Sequence, residues 1–171
     1  MYIRGKETYV PGILDKTIRA IEYCHDNLSY TYLVRSNIST VIDFSKLDES
    51  KLVDKYMGCD QNRLQWLDEP AGIKDKSLWG TSYIGGIGII MTRDTVSFLL
   101  EHKAEINMNV VDDVSIGALF SMYPEYEPKT VATTTYNTES PAVCYRNRSP
   151  ERNSDIERMT RIIAKIESEM K

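Results

Sequence analysis

The chain has 171 residues, 42% of them hydrophobic and 27% charged, which suits one soluble domain that removes roughly 70% of its unfolded surface from water. Acids outnumber bases 25 to 21, a net charge of −4, which argues against a nucleic-acid surface held by bulk charge but leaves room for a small basic pocket that grips a phosphate. No apolar run reaches membrane-spanning length, and Met1–Glu7 has no apolar signal core.

Pro11 is placed to open a helix, because its missing N–H costs nothing there. Ile13, Leu14, Thr17, Ile18, Ile21 and Cys24 follow on one face, and Asp26-Asn27 ends it. Tyr30 to Ser36 reads as a short strand, with Thr40 to Ile42 continuing it after Asn37-Ile38-Ser39. Asp43 is expected to cap a helix carrying Leu47, Leu52 and Tyr56. Cys59 to Thr81 has no clean period and is expected to be a functional loop or to hide short elements. Tyr83 to Met91 reads as a glycine turn feeding a buried strand, and Thr92 as the cap of the next helix. Val110-Val111 is expected to be a brief strand, followed by a helix over Val114 to Phe120 in which Gly117 permits close packing. Lys129 to Tyr136 and Val143 to Arg146 are strand-like. Ser154-Asp155-Ile156-Glu157 reads as a capping box before a helix that carries Ile156, Met159, Ile162, Ile163 and Ile166. Strands and helices alternate, so the class is α/β with a mostly parallel or mixed sheet. The chain is read as one domain, with a core over 1–150 and a C-terminal helix over 151–171.

Three cysteines, Cys24, Cys59 and Cys144, are odd in number and widely spaced. They predict neither a disulfide framework nor a metal site of paired cysteines, and the default setting is reducing and cytoplasmic. Three Asn-x-Ser triplets, at Asn27, Asn37 and Asn147, are read as chance.

In an open α/β sheet, ligands gather beyond the carboxyl ends of the strands. Arg35 to Ser39 follows one strand: Arg35 can grip a phosphate or carboxylate in bidentate fashion, and Asn37 and Ser39 point to one side of extended backbone. The plainer reading is a polar strand end with local turn bonds. The glycines of Gly85-Gly86-Ile87-Gly88 let backbone approach a ligand, or alternatively make a bulge against a helix. Asp112-Asp113 places two acids at a helix start, where one can cap and the other can serve as a base or a metal ligand. His25 and His102 suit helix ends, Trp66 and Trp79 are able to stack on a sugar, and Arg146, Arg148 and Arg152 make a mildly basic stretch.

The order of these motifs carries more than any one of them. Tyr9 is followed by Lys16-Thr17, Tyr32-Leu33-Val34-Arg35-Ser36-Asn37-Ile38-Ser39, Gly85-Gly86-Ile87-Gly88 through Arg93-Asp94, and Asp112-Asp113-Val114-Ser115-Ile116-Gly117. This succession resembles nucleotide-sugar glycosyltransferases of the GT-A fold, in particular the β-1,3-galactosyltransferase and Fringe-like families and their bacterial and viral relatives. The resemblance spans Tyr9 to Phe120, with a weaker echo at Cys144-Tyr145-Arg146.

The resemblance implies a GT-A-like mixed sheet and transfer of a sugar from a nucleotide sugar, a uridine diphosphate sugar first of all, to a hydroxyl of a glycan, lipid or protein, with inversion. It implies Asp113 as base beside Asp112, and donor contacts from Lys16, Arg35, Asn37, Ser39, Gly85 and Gly86. It places Mn²⁺ or Mg²⁺ at Asn37 and Ser39, with Cys144 near the position that completes the metal site. Here the Asp-x-Asp metal motif reads Asn37-Ile38-Ser39, whose neutral oxygens hold such cations more weakly. The family's first strand–helix–strand unit would precede this chain. The chain is then a truncated piece or holds the nucleotide otherwise, and the open sheet edge invites pairing with a second copy. A non-catalytic remnant that binds a sugar or a protein is the alternative, and a phosphate- or nucleotide-processing α/β enzyme is a third reading.

Overall fold

A computed structural model describes residues 8–170. The helices are α1 (Gly12–Asn27), α2 (Arg93–Glu101), α3 (Asp112–Phe120) and α4 (Arg152–Glu169). The strands are β1 (Tyr32–Arg35), β2 (Thr40–Ile42), β3 (Tyr56–Gly58), β4 (Gln61–Arg63), β5 (Ser82–Ile84), β6 (Ile89–Thr92), β7 (Lys129–Thr130), β8 (Thr134–Tyr136) and β9 (Cys144–Arg146). They form a four-stranded sheet in the order β1-β6-β3-β7, a three-stranded sheet β2-β9-β8 and the pair β4-β5.

The class is mixed α/β, but the expected parallel bias is reversed. Among the described strands only β3–β7 and β8–β9 run parallel, and the other pairings are antiparallel. The strands are short; α2 and α3 intervene between β6 and β7, while the other consecutive strands follow one another without an α-helix between them.

The four-stranded sheet is covered on both sides, and its period of two decides which residue goes where. Tyr56, Ile89 and Met91 join Leu14, Ile18 and Ile21 of α1, Val96 and Leu99 of α2, and Ile116, Leu119 and Phe120 of α3. Their neighbours Met57 and Ile90 face the other way, onto Leu52. α4 lies on the second sheet through Ile162, packed with Val41, Ala142 and Tyr145. Ile156 and Ile163 of the same helix are half exposed. No described strand pairs with the outer edge of β1.

Several local expectations are corrected. Asp43 caps only a 3-10 turn, Phe44–Lys46, and Asp48 caps a second, Glu49–Lys51. Each carboxylate takes the N–H two residues on, a local bond that competes with helix propagation, and Tyr56 belongs to β3 instead. Val110-Val111 finds no partner strand; Val110 is buried beside Leu64, Ala71, Ile73 and Tyr83, and α3 begins at Asp112. α4 starts at Arg152, so Ser154 and Glu157 lie inside it and form no capping box; Asp155 instead accepts from Ser149 N–H. The segment 59–81 hides β4, a 3-10 turn at Lys76–Leu78 and a bridge between Asp68 and Ile73.

Cys59 and Cys144, expected unpaired, form a disulfide across 85 residues, with Cα atoms 6.4 Å apart. The bond ties the strand beside the glycine turn to β9 of the second sheet, a proximity that sequence distance conceals. No helix among the described residues is long and apolar enough to cross a membrane.

Gly117 is where α3 touches β5. A Cβ there would lie 2.2 Å from the Tyr83 Cβ and 3.0 Å from its Cα. Backbone-anchored atoms cannot yield, so Gly117→Ala is expected to destabilise the fold by about 1–3 kcal/mol, read from the urea midpoint at unchanged slope.

Candidate functional site

Arg35 ends β1 and turns its guanidinium inward. Nη1 donates to the Gly86 carbonyl at 2.9 Å and to Asn37 Oδ1 at 3.0 Å, while Nη2 is hydrogen-bonded and ion-paired to Asp112. Asp112 is 2% exposed, and its Oδ2 also accepts from Thr17 Oγ1 at 3.0 Å. A carboxylate so buried is tolerated only with a charged partner and further donors, and both are present. Its place in the first turn of α3 adds a favourable helix dipole.

Asp113, one residue on, faces another way because successive helix residues turn by about 100°. Its Oδ2 accepts from Gly86 N–H at 2.9 Å and its Oδ1 from Val114 N–H at 2.9 Å. Neither acid is the helix N-cap, as one of them was expected to be; that position is Val111, without a side-chain cap. Burial first, and then the neighbouring Asp112 charge, push the Asp113 carboxyl above its ordinary range, against the pull of Gly86 N–H and Arg35. Two of the carboxylate's four acceptor directions are used, which leaves capacity for a proton.

The Gly86 peptide is the hub of the site. Its N–H serves Asp113, while its carbonyl takes both Arg35 and the Asn37 N–H, the latter at 2.9 Å. A Cβ on Gly86 would fall 2.4 Å from Arg35 Nη1 and 3.1 Å from Asn37 Oδ1, so only glycine leaves the guanidinium in place. Gly85 is less crowded, with Asn62 Nδ2 at 3.0 Å.

Two adjoining cavities meet here. One, about 480 Å³, is walled by Asn37, Ser39, Trp66, Tyr83, Asp112 and Asp113, with Arg35, Arg146 and Arg148 also lining it. The other, about 370 Å³, is bounded by Asp60, Asn62, Gly85, Gly86 and Tyr136, and shares Asn37, Asp113, Arg146 and Arg148. Of the residues expected at the site, Arg35, Asn37, Ser39, Gly85, Gly86, Asp112 and Asp113 therefore come together. Lys16 lies in a separate groove of about 550 Å³ between α1 and β1, which shares Ile13 and Arg35 with the first cavity. Asp60, Tyr83 and Tyr136 were not anticipated; each stands at or near a strand end, and only the pairing of β4 with β5 and of β8 with β9 brings them here. Trp79 lines neither cavity, and His25 and His102 make local bonds, to Tyr30 Oη and to the Phe98 carbonyl.

The donor set proposed for Mn²⁺ or Mg²⁺ does not fit such an ion. Asn37 Oδ1 already accepts from Arg35, Ser39 Oγ accepts from Arg152 Nη1 at 3.0 Å, and Cys144 is bonded to Cys59. Cys144 thus has no thiolate to offer, and the neutral oxygens are turned toward guanidinium groups that would repel a cation. No cluster of metal-ligating acids, histidines or cysteines occurs among the described residues. Comparison with protein-family models and with curated proteins finds no match.

Two outcomes follow from the acid pair. Asp112→Ala leaves the partly buried Arg35 guanidinium without its carboxylate and the Thr17 hydroxyl without its acceptor, and is expected to cost about 3 kcal/mol in chemical unfolding, the low end for a broken buried pair. Asp113→Asn acts in the opposite direction. The raised carboxyl makes the folded state bind this proton more tightly than the unfolded state, so its contribution is full below the unfolded carboxylate range and is lost as pH rises through the raised value. The asparagine keeps an oxygen for Gly86 N–H and carries no charge. It should melt higher than the parent at neutral pH, by about 2–4 °C per kcal/mol relieved, with the difference closing in acid.

Proposed function

We propose that the chain is a glycosyltransferase domain that moves a sugar from a nucleotide sugar, a uridine diphosphate sugar in the first instance, to an acceptor hydroxyl with inversion. The observation that carries this reading is the position of Asp113. Its carboxylate faces a cavity, is made more basic by burial, and is hydrogen-bonded to the glycine turn beside Asn37 and Arg35. Three segments far apart in the chain, and ordered as in the resembled families, supply these groups.

In this mechanism the Asp113 carboxylate accepts the proton of the acceptor hydroxyl as its oxygen attacks the anomeric carbon. The bond from that carbon to the diphosphate oxygen breaks, and the diphosphate leaves with the electron pair. Asp112 does not share the role, because Arg35 and Thr17 hold it. Trp66, half exposed in the cavity wall with its ring 6.3 Å from that of Tyr83, offers a face for the C–H surface of a sugar.

The engaged oxygens of Asn37 and Ser39 favour a second reading, a remnant that binds a sugar or a protein without transfer. Asp113→Asn separates the two. With a panel of nucleotide sugars and simple acceptors, transfer by the parent is expected to rise with pH through the raised Asp113 value. The asparagine variant is expected to lose about 10²–10⁴-fold while remaining folded. Donor binding without transfer by the parent would select the remnant.

A further inference from the structure

We infer that Arg146 and Arg148 hold the donor's diphosphate directly, in the place where the resemblance puts a divalent cation; the inference rests on the transferase reading. Arg146 is the last residue of β9, and its Nη1 is fully buried with no hydrogen-bond partner among the described residues. A buried guanidinium N–H left unpaired costs about 1–3 kcal/mol, so such a donor in a cavity wall is a donor waiting for an acceptor.

Arg148 stands two residues on and is exposed. Its main chain is clamped by Asn137, whose Oδ1 accepts the Arg148 N–H at 2.7 Å and whose Nδ2 donates to the Arg148 carbonyl at 3.0 Å. Asn137 adopts φ 53°, a left-handed conformation that asparagine tolerates better than most residues. The backbone that carries the arginine is therefore set, while its side chain reaches both cavities.

The acids on these walls are engaged elsewhere. Asp60 accepts from Tyr136 Oη, Asp68 from Ala71 N–H, Asp112 from Arg35 and Asp113 from Gly86. None of them is ion-paired to Arg146 or Arg148. Burial, and the like charges of Arg148 and Arg35, lower the Arg146 pKa, a crowding that a bound anion relieves. Arg152 adds a third guanidinium through its bond to Ser39. Two guanidinium groups supply the two positive charges of a divalent ion, with planar donor pairs that match phosphate oxygens. The walls are thus divided, with arginines for a leaving diphosphate and Asp113 for an incoming hydroxyl.

The test is calorimetric titration of the whole chain with inorganic pyrophosphate, uridine diphosphate and orthophosphate, each in EDTA and in Mn²⁺. Pyrophosphate is expected to bind in EDTA, with Mn²⁺ changing its affinity less than twofold and added salt weakening it. Uridine diphosphate should bind at least as tightly, and orthophosphate at least tenfold more weakly. Arg146→Gln and Arg148→Gln should each weaken pyrophosphate at least tenfold. Because Arg148 is exposed, its variant keeps the test valid even where Arg146→Gln fails to fold. Binding that requires Mn²⁺, binding undiminished in Arg148→Gln, or orthophosphate equal to pyrophosphate would overturn the inference. Pyrophosphate binding reads the arginines alone, and transfer by Asp113→Asn reads the base alone, so each reading fails by its own measurement.

Discussion

Arg35 and Asp112 meet beneath the cavity, where the carboxylate is buried and depends on the partly buried guanidinium for its countercharge. Their pairing joins the end of β1 to the start of α3, and the second nitrogen of the same guanidinium reaches across to the Gly86 carbonyl. One side chain thereby holds an edge strand, a helix start and a glycine turn together. The direction of Asp113 follows: with Asp112 locked toward Arg35 and Thr17, the next residue around the helix is left to face the turn and the cavity. Gly86 completes the arrangement because any larger residue would push the guanidinium aside.

This arrangement divides labour between neighbouring acids that look equivalent in sequence. Asp112 is neutralised and structural, while Asp113 is desolvated and lacks an ion-pair partner among the described residues. The same logic runs through the opposite wall. Asn37 and Ser39 have their oxygens turned to Arg35 and Arg152, so they work as acceptors that orient cations from the protein. Neutral side chains at these two positions meet the guanidinium groups as hydrogen-bond acceptors without adding charge to the wall.

Much of this was legible in the sequence where the signal is local. The apolar face of α1, the Thr92 cap, the close packing at Gly117 and the grouping of Arg35, Asn37, Gly86 and Asp113 all rest on short-range pattern or motif order. Failures came where tertiary partners decide. Asp43 and Asp48 spent their carboxylates on local turns, Val110-Val111 had no strand to pair with, and a strand-like run at Lys129–Tyr136 broke to serve two sheets. Cys59 and Cys144 carry no spacing that announces their bond. Arg146 and Arg148 registered only as a mild basic stretch, since nothing local indicates that β9 inserts between β2 and β8.

The insertion of β9 has a consequence for how the molecule comes into being. Asp113, the glycine turn and Trp66 all precede residue 121, whereas Cys144, and Arg146 and Arg148 on the same cavity walls, come more than twenty residues later in the chain. A nascent chain paused in between would own a half-built pocket, acidic and unbraced. The cationic side of the pocket is thus complete only once β9 is seated between β2 and β8.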